Sequence, residues 1–126
     1  MINAARASRA HDLLIEAFGG ATGLRDADGL DAALARAYQT FDGEDLHPTT
    51  VAKAAALLEA VIIRHPWVDG NKRTAYVLME LLLGDGGLRL EATEDDKYDL
   101  VIQVATGKLD VEGIVQWLVG RVVQQS

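Results

Sequence analysis

The chain has no cysteine among its 126 residues. Disulfides, thiol nucleophiles and zinc–thiolate sites are therefore excluded, and the absence fits a reducing cytoplasm. Proline occurs only at Pro48 and Pro66, so few breakers interrupt a sequence whose alanine and leucine favour helix. There is no basic surplus. The formal net charge is −7, the opposite of what a general nucleic-acid binder carries, so no direct DNA binding is expected. A small basic pocket on an acidic body stays allowed. There is no long apolar run either. The longest, Ala75 to Leu83, falls far short of the ~20 residues that span a bilayer, and the opening MINAARASRAHDLL has no apolar signal core. A soluble, cytoplasmic protein with no membrane partner is expected, without internal repeats or low-complexity segments.

What the chain does have is core material. With 49% hydrophobic residues it is read as one domain over residues 1–126, which at this length buries roughly two-thirds of the surface its unfolded chain exposes. A first helix is expected from about Asn3 to Phe18, with Leu13, Leu14, Ala17 and Phe18 as its apolar face and Gly19-Gly20 as its stop. A second begins near Asp28 and carries Leu30, Leu34, Ala37 and Tyr38. The polar stretch FDGEDLHP, with its Asp42-Gly43 turn signal, is a loop or short hairpin. A third helix follows Pro48, capped by Thr49 or Thr50. It aligns Val51, Ala55, Leu58 and Ile62 on one face, turns Lys53 and Glu59 towards solvent, and fails at Arg64-His65 before Pro66. The fourth, Asn71 to Leu83, is apolar almost all round and belongs at the centre. Residues 88–91 read as extended. A fifth helix runs from Glu94 to Thr106 and a sixth from Val111 to Val123. The fold class is all-α: a bundle of about six helices around a buried central one.

The mixed polar chemistry is concentrated in HPWVDGNKRTA, residues 65–75. Gly70 allows a tight turn and close approach to the backbone, and Asn71 suits an N-cap. The amides around Lys72 to Thr74 then point out of a helix end that carries about half a positive charge. Such an end binds anions. Lys72 and Arg73 add two full charges, enough for a polyphosphate. Asp69 in that field would oppose phosphate unless a cation stood between them, and Mg2+, bound by one or two carboxylates plus phosphates, is the natural candidate. His65 can take a proton from an attacking hydroxyl, since imidazole titrates near neutral pH. A base, a metal carboxylate and an anion nest are the parts of a phosphoryl or nucleotidyl transfer. A buried helix starting at the site would hold them firmly.

The same stretch resembles the core motif of the Fic/Doc superfamily, HxFx[D/N][A/G]N-[K/G]-R, through His65, Pro66, Asp69, Gly70, Asn71, Lys72 and Arg73, with Trp67 in the usual Phe position. Lys72 before Arg73 is similar to the Doc branch, the death-on-curing toxins of bacterial toxin–antitoxin pairs. HDLLIEAFGG, GLRD, ALARA and ATGKLD extend the likeness over nearly the whole chain. Residues 1–9 depart from the family's acidic opening, so the first helix is expected to begin differently. The resemblance implies a kinase that moves the γ-phosphate of ATP to a threonine of elongation factor Tu and halts translation. It also implies a cognate antitoxin with a segment that folds on binding. In that frame His65 would be the base, Asp69 would hold Mg2+, and Gly70, Asn71, Lys72 and Arg73 would bind the phosphates. Phe41, Asp42, Gly43, Glu44 and Asp45 would form a flap that aligns the target.

Two other functions stand beside it. Fic proteins transfer AMP to a protein hydroxyl, but they carry a second glycine where this chain has Lys72, and a second arginine where it has Tyr76. Losing that arginine removes a bidentate phosphate fork, which favours kinase chemistry. A non-catalytic partner module is the third, and the intact His65 speaks against it. Thr40 to Glu44 look superficially like the family's inhibitory helix [S/T]xxxE[G/N], a likeness read as chance. Elsewhere bland roles are assigned. His11 and His47 are placed on the surface, Arg25 and Asp26 in a helix-start network, and Phe18 and Trp117 in the core. Trp67 packs beside the site. Arg64 either reaches a ligand or meets the helix dipole.

Overall fold

The computed structural model describes residues 1–125 and is all-α apart from two small antiparallel strand pairs, one a hairpin and one joining distant segments. Its elements are α1 (Ala4–Phe18), α2 (Ala27–Arg36), β1 (Thr40–Phe41), β2 (Glu44–Asp45), α3 (Thr50–Arg64), α4 (Asn71–Asp85), β3 (Leu88–Leu90), α5 (Glu94–Ala105), α6 (Val111–Val119) and β4 (Val122–Gln124). Five of the six helices start at a side chain that accepts from a first-turn amide: Asn3, Asp26, Thr49, Thr93 and Asp110. Thr93 forms a full capping box with Asp96. α4 starts at Gly70 with no side-chain cap.

α3 and α4 form the centre together. Leu57, Leu58 and Val61 on α3 pack with Leu78, Met79 and Leu83 on α4, all fully buried. α3 also packs on α2, α5 and α6, and α1 lies on α4. The central position expected for the fourth helix is thus shared with the third. α4 runs two residues further than expected, through Gly84 to Asp85. There Arg6 donates two hydrogen bonds to the Asp85 carboxylate, 2.5 and 2.9 Å, tying α1 to the end of α4.

Several expectations are corrected. The buried stripe of α1 is Ala7, His11 and Ile15, not Leu13, Ala17 and Phe18, which are exposed. Phe18 is 65% exposed and carries the Arg73 guanidinium over its ring, 4.5 Å from the centroid. Trp117 is half-buried against the core, under Arg121. The sixth helix stops at Val119, and β-branched Val122 and Val123 then pair with Leu90 and Arg89 in β3. α1 has no acidic residue in its first turn, and the Ile2 amide donates to the Tyr38 hydroxyl at 3.0 Å. FDGEDLHP is a hairpin turning at Asp42 (φ 55°) and Gly43 (φ 82°), the positive-φ pair of a type I′ turn. It is not helical, in keeping with the chance likeness to an inhibitory helix. Lys53, expected in solvent, donates instead to Asp45 at 3.2 Å and to the His47 carbonyl. His47 is half-buried, and burial, then Arg36 and Lys53, lowers its pKa.

Because α4 both fills the core and ends at the polar motif, its packing sets the motif's position. Leu78→Ala leaves a cavity at a fully buried site and is expected to cost about 2–5 kcal/mol of unfolding free energy, measured by urea denaturation. A cost under ~1 kcal/mol would contradict the packing described.

Candidate active site

α3 ends where its amide ladder meets Pro66. His65 caps it in the left-handed region, φ 32° and ψ 69°, with its amide donating to Val61 at 2.9 Å. Few non-glycine residues adopt that conformation, and it costs energy that the surroundings must supply. The chain then reverses within Pro66 to Gly70 and enters α4.

Three features hold this reversal. Asn71 does not cap α4, contrary to expectation. Its side chain reaches back, accepting from the Trp67 amide and donating to the Trp67 carbonyl, both at 2.9 Å. The segment before α2 is zipped onto the loop: Arg25 and Asp26 amides donate to the Pro66 carbonyl at 2.8 and 3.0 Å, and the Val68 amide to Gly23 at 3.0 Å. From beneath, His11 of α1 lies parallel to Trp67, 4.7 Å between ring centroids, and its Nε2 is 2.8 Å from the Asp69 carbonyl. That carbonyl can only accept, so Nε2 carries the hydrogen. His11 is 1% exposed and Trp67 2%. The surface role expected for His11 is therefore wrong, while the inward packing expected for Trp67 holds.

Gly70 is required on two counts. Its φ is 75°, and a Cβ would meet Ile15 at 3.2 Å and His11 at 3.6 Å. The Asp69 carboxylate accepts from the Gly70 amide at 2.8 Å and, with its other oxygen, from the Ala21 amide at 3.1 Å. Gly20 makes room for this, since a Cβ there would stand 2.7 Å from Asp69 Oδ2. The Ala21 bond first, then the Gly70 bond, hold the Asp69 pKa below its ordinary 3.8, and His11 and Arg73 lower it further.

A cleft of about 690 Å3 opens above the start of α4. His65, Asp69, Gly70, Asn71, Lys72 and Arg73 all line it, with Ile62, Ile63, Val68 and Ala105 as its apolar walls. The sequence-expected site residues thus meet in one place. Among the described residues only Thr74 of the first-turn amides has a partner, the Gly70 carbonyl at 3.0 Å, so the open set is Asn71, Lys72 and Arg73 rather than Lys72 to Thr74. Among the described residues Lys72 and Arg73 form no salt bridge, and both are exposed. Hairpin residues Phe41 to Asp45 are exposed and do not line the cleft.

Among the described residues no three carboxylates or imidazoles are grouped to hold a metal by themselves. Asp69 is exposed, and its two oxygens keep lone pairs beyond their amide bonds. A lone carboxylate beside an anion nest fits Mg2+ that arrives with phosphates and keeps most of its waters. It does not fit a metal held by protein alone.

A model of the Fic/DOC family matches residues 2–83, the stretch from α1 through most of α4. The chain belongs to the Fic/DOC family. It is also 42% identical over 106 residues to a protein named Toxin Doc from Mycolicibacterium smegmatis, covering 82% of each chain. All of the cleft's polar residues lie within the matched stretch, as do His11 and Arg25.

Two measurements check this geometry. His11→Ala removes both the stack and the donor to Asp69, and is expected to lower unfolding free energy by roughly 1–3 kcal/mol; His11→Phe keeps the stack and should lose less. Equal losses would mean that the stack contributes nothing. In a carboxyl NMR titration Asp69 should have its midpoint below 3.8. A depressed folded pKa gives stability that is full above the unfolded value and is lost as pH falls through the folded one. A midpoint at or above 3.8 would contradict the two amide bonds.

Proposed function

We propose that this chain is the toxin of a bacterial toxin–antitoxin pair, acting as a kinase that transfers the γ-phosphate of ATP to a protein hydroxyl. The observation that carries it is the meeting of His65, Asp69 and the uncapped start of α4, with Lys72 and Arg73, around one cleft. The resemblance to Doc proteins suggests a threonine of elongation factor Tu as target and arrest of translation as outcome. The name Toxin Doc of the mycobacterial relative supports the toxin and antitoxin part.

Each residue would act by position and charge. The Asn71, Lys72 and Arg73 amides and the two cations bind the phosphates and stabilise the charge that grows on them. His65 takes the proton of the target hydroxyl as its oxygen bonds to the γ-phosphorus. The bond from that phosphorus to the bridging oxygen breaks, and ADP leaves with the electron pair. Asp69 would hold Mg2+, which when bound neutralises phosphate charge. Ile62, Ile63 and Val68 would give the transferring group an apolar wall. The Phe41–Asp45 hairpin stands outside the cleft lining, where it could guide an extended target segment by edge pairing.

Tyr76 favours phosphate transfer over AMP transfer. It occupies the position where AMP-transferring relatives carry a second arginine. Its hydroxyl is buried, and burial, followed by Glu80 and Glu94, pushes its pKa far up. It offers no charge to a phosphate.

Controlled expression in bacteria tests the function. The wild type should arrest growth, and His65→Ala and Asp69→Asn should relieve the arrest at equal protein levels. A harmless wild type would overturn the toxin assignment, and undiminished arrest by His65→Ala would overturn the catalytic one.

A further inference from the structure

Arg25 lies forty residues before His65 in sequence and outside the cleft lining, yet it holds that residue directly. Its Nη2 is 2.5 Å from the His65 carbonyl, 2.7 Å from His65 Nδ1 and 3.3 Å from the Arg64 carbonyl. Nη2 carries two hydrogens, and a guanidinium has no lone pair to offer and keeps its charge in proteins. Its two shortest contacts are therefore both donated, one to the His65 carbonyl and one to Nδ1. Nδ1 accepts, so the neutral ring carries its hydrogen on Nε2. A ring in that form is a donor at Nε2 and has no nitrogen free to take a proton from a hydroxyl.

We infer that Arg25 is a positioning residue that holds His65 in a resting, donor form, and that His65 becomes a base only when Arg25 releases Nδ1. On release the ring hydrogen exchanges through water from Nε2 to Nδ1. With the hydrogen on Nδ1, the Nε2 lone pair is left free for the hydroxyl proton. This rests on the role of His65 proposed above.

The surroundings suit such a latch. The Arg25 amide is fixed to the Pro66 carbonyl at 2.8 Å, so its side chain is delivered from a segment zipped to the same loop. Among the described residues Arg25 has no carboxylate partner within salt-bridge distance, and no acidic group competes for the guanidinium. Its charge sits at the carbonyl end of α3, where the helix dipole favours a cation. The bond to the His65 carbonyl helps hold the unfavourable φ of 32°.

The test is the tautomer itself. Full-length protein labelled with 15N-histidine is examined by long-range 1H–15N correlation NMR, at a pH where the rings are neutral, with His65→Ala to assign the signals. The wild type should show His65 Nδ1 unprotonated and Nε2 protonated, and Arg25→Ala should move the ring to the Nδ1–H form or to a mixture. A wild-type ring already protonated on Nδ1, or an unchanged pattern in Arg25→Ala, would overturn the proposal. If Arg25→Ala does not fold, the wild-type spectrum decides alone. No phosphate transfer enters this readout. Absence of kinase activity would count against the proposed function and leave the tautomer result standing. An Nδ1–H ring in an active kinase would remove the latch and keep the function.

Discussion

A helix end can bind an anion only if its own chain does not close it, and here that requirement falls on the stacked pair His11 and Trp67. At five other helix starts a Ser/Thr/Asx-type side chain occupies the first-turn amides. At α4 the residue that would do so, Asn71, is turned back to grip both backbone groups of Trp67. Trp67 can serve as that anchor because it is buried flat against His11, which in turn supports the Asp69 carbonyl. The polar loop is thus fixed from inside the core, and its outward amides and carboxylate are left for solvent or ligand.

The same arrangement sorts the charges. Asp69 stays ionised because two amides, one from its neighbour Gly70 and one from Ala21 in the segment after α1, stabilise its negative form. Lys72 and Arg73 project from the uncapped helix start, and Arg73 lies over exposed Phe18 rather than against a carboxylate. Arg25 sits behind His65 at the end of α3. The negative group is held by neutral donors, and among the described residues Arg25, Lys72 and Arg73 all lack acidic partners, which leaves a positive field around the cleft on a chain of net charge −7.

Much of this was legible in the sequence where the physics is local. The cap at Thr49, the stop before Pro66, the turn at Asp42-Gly43 and the clustering of His65 with Asp69 to Arg73 all depend on neighbours within a few residues. What was missed depends on distant contacts. His11 and Asp69 are separated by 58 residues and Arg25 and His65 by 40, and no spacing rule announces either pair. A signal for His11 did exist: Ala7, His11 and Ile15 recur every four residues, so the histidine lies on the stripe that faces inward. Phe18 misled because large aromatics are usually core, whereas at the last position of α1 it covers an arginine instead. The end of α6 misled because Val122 and Val123 fit a helix by hydrophobicity, although β-branched residues after Gly120 equally suit the strand they form.

The central claim is that the cleft moves a terminal phosphate, and it is tested most directly by following the label. Purified protein is incubated with bacterial extract and ATP labelled at either the α or the γ phosphate, and the labelled protein and residue are read by mass spectrometry. The account predicts transfer from the γ position to a hydroxyl side chain, abolished by His65→Ala. Label arriving from the α position, or from neither, would contradict it.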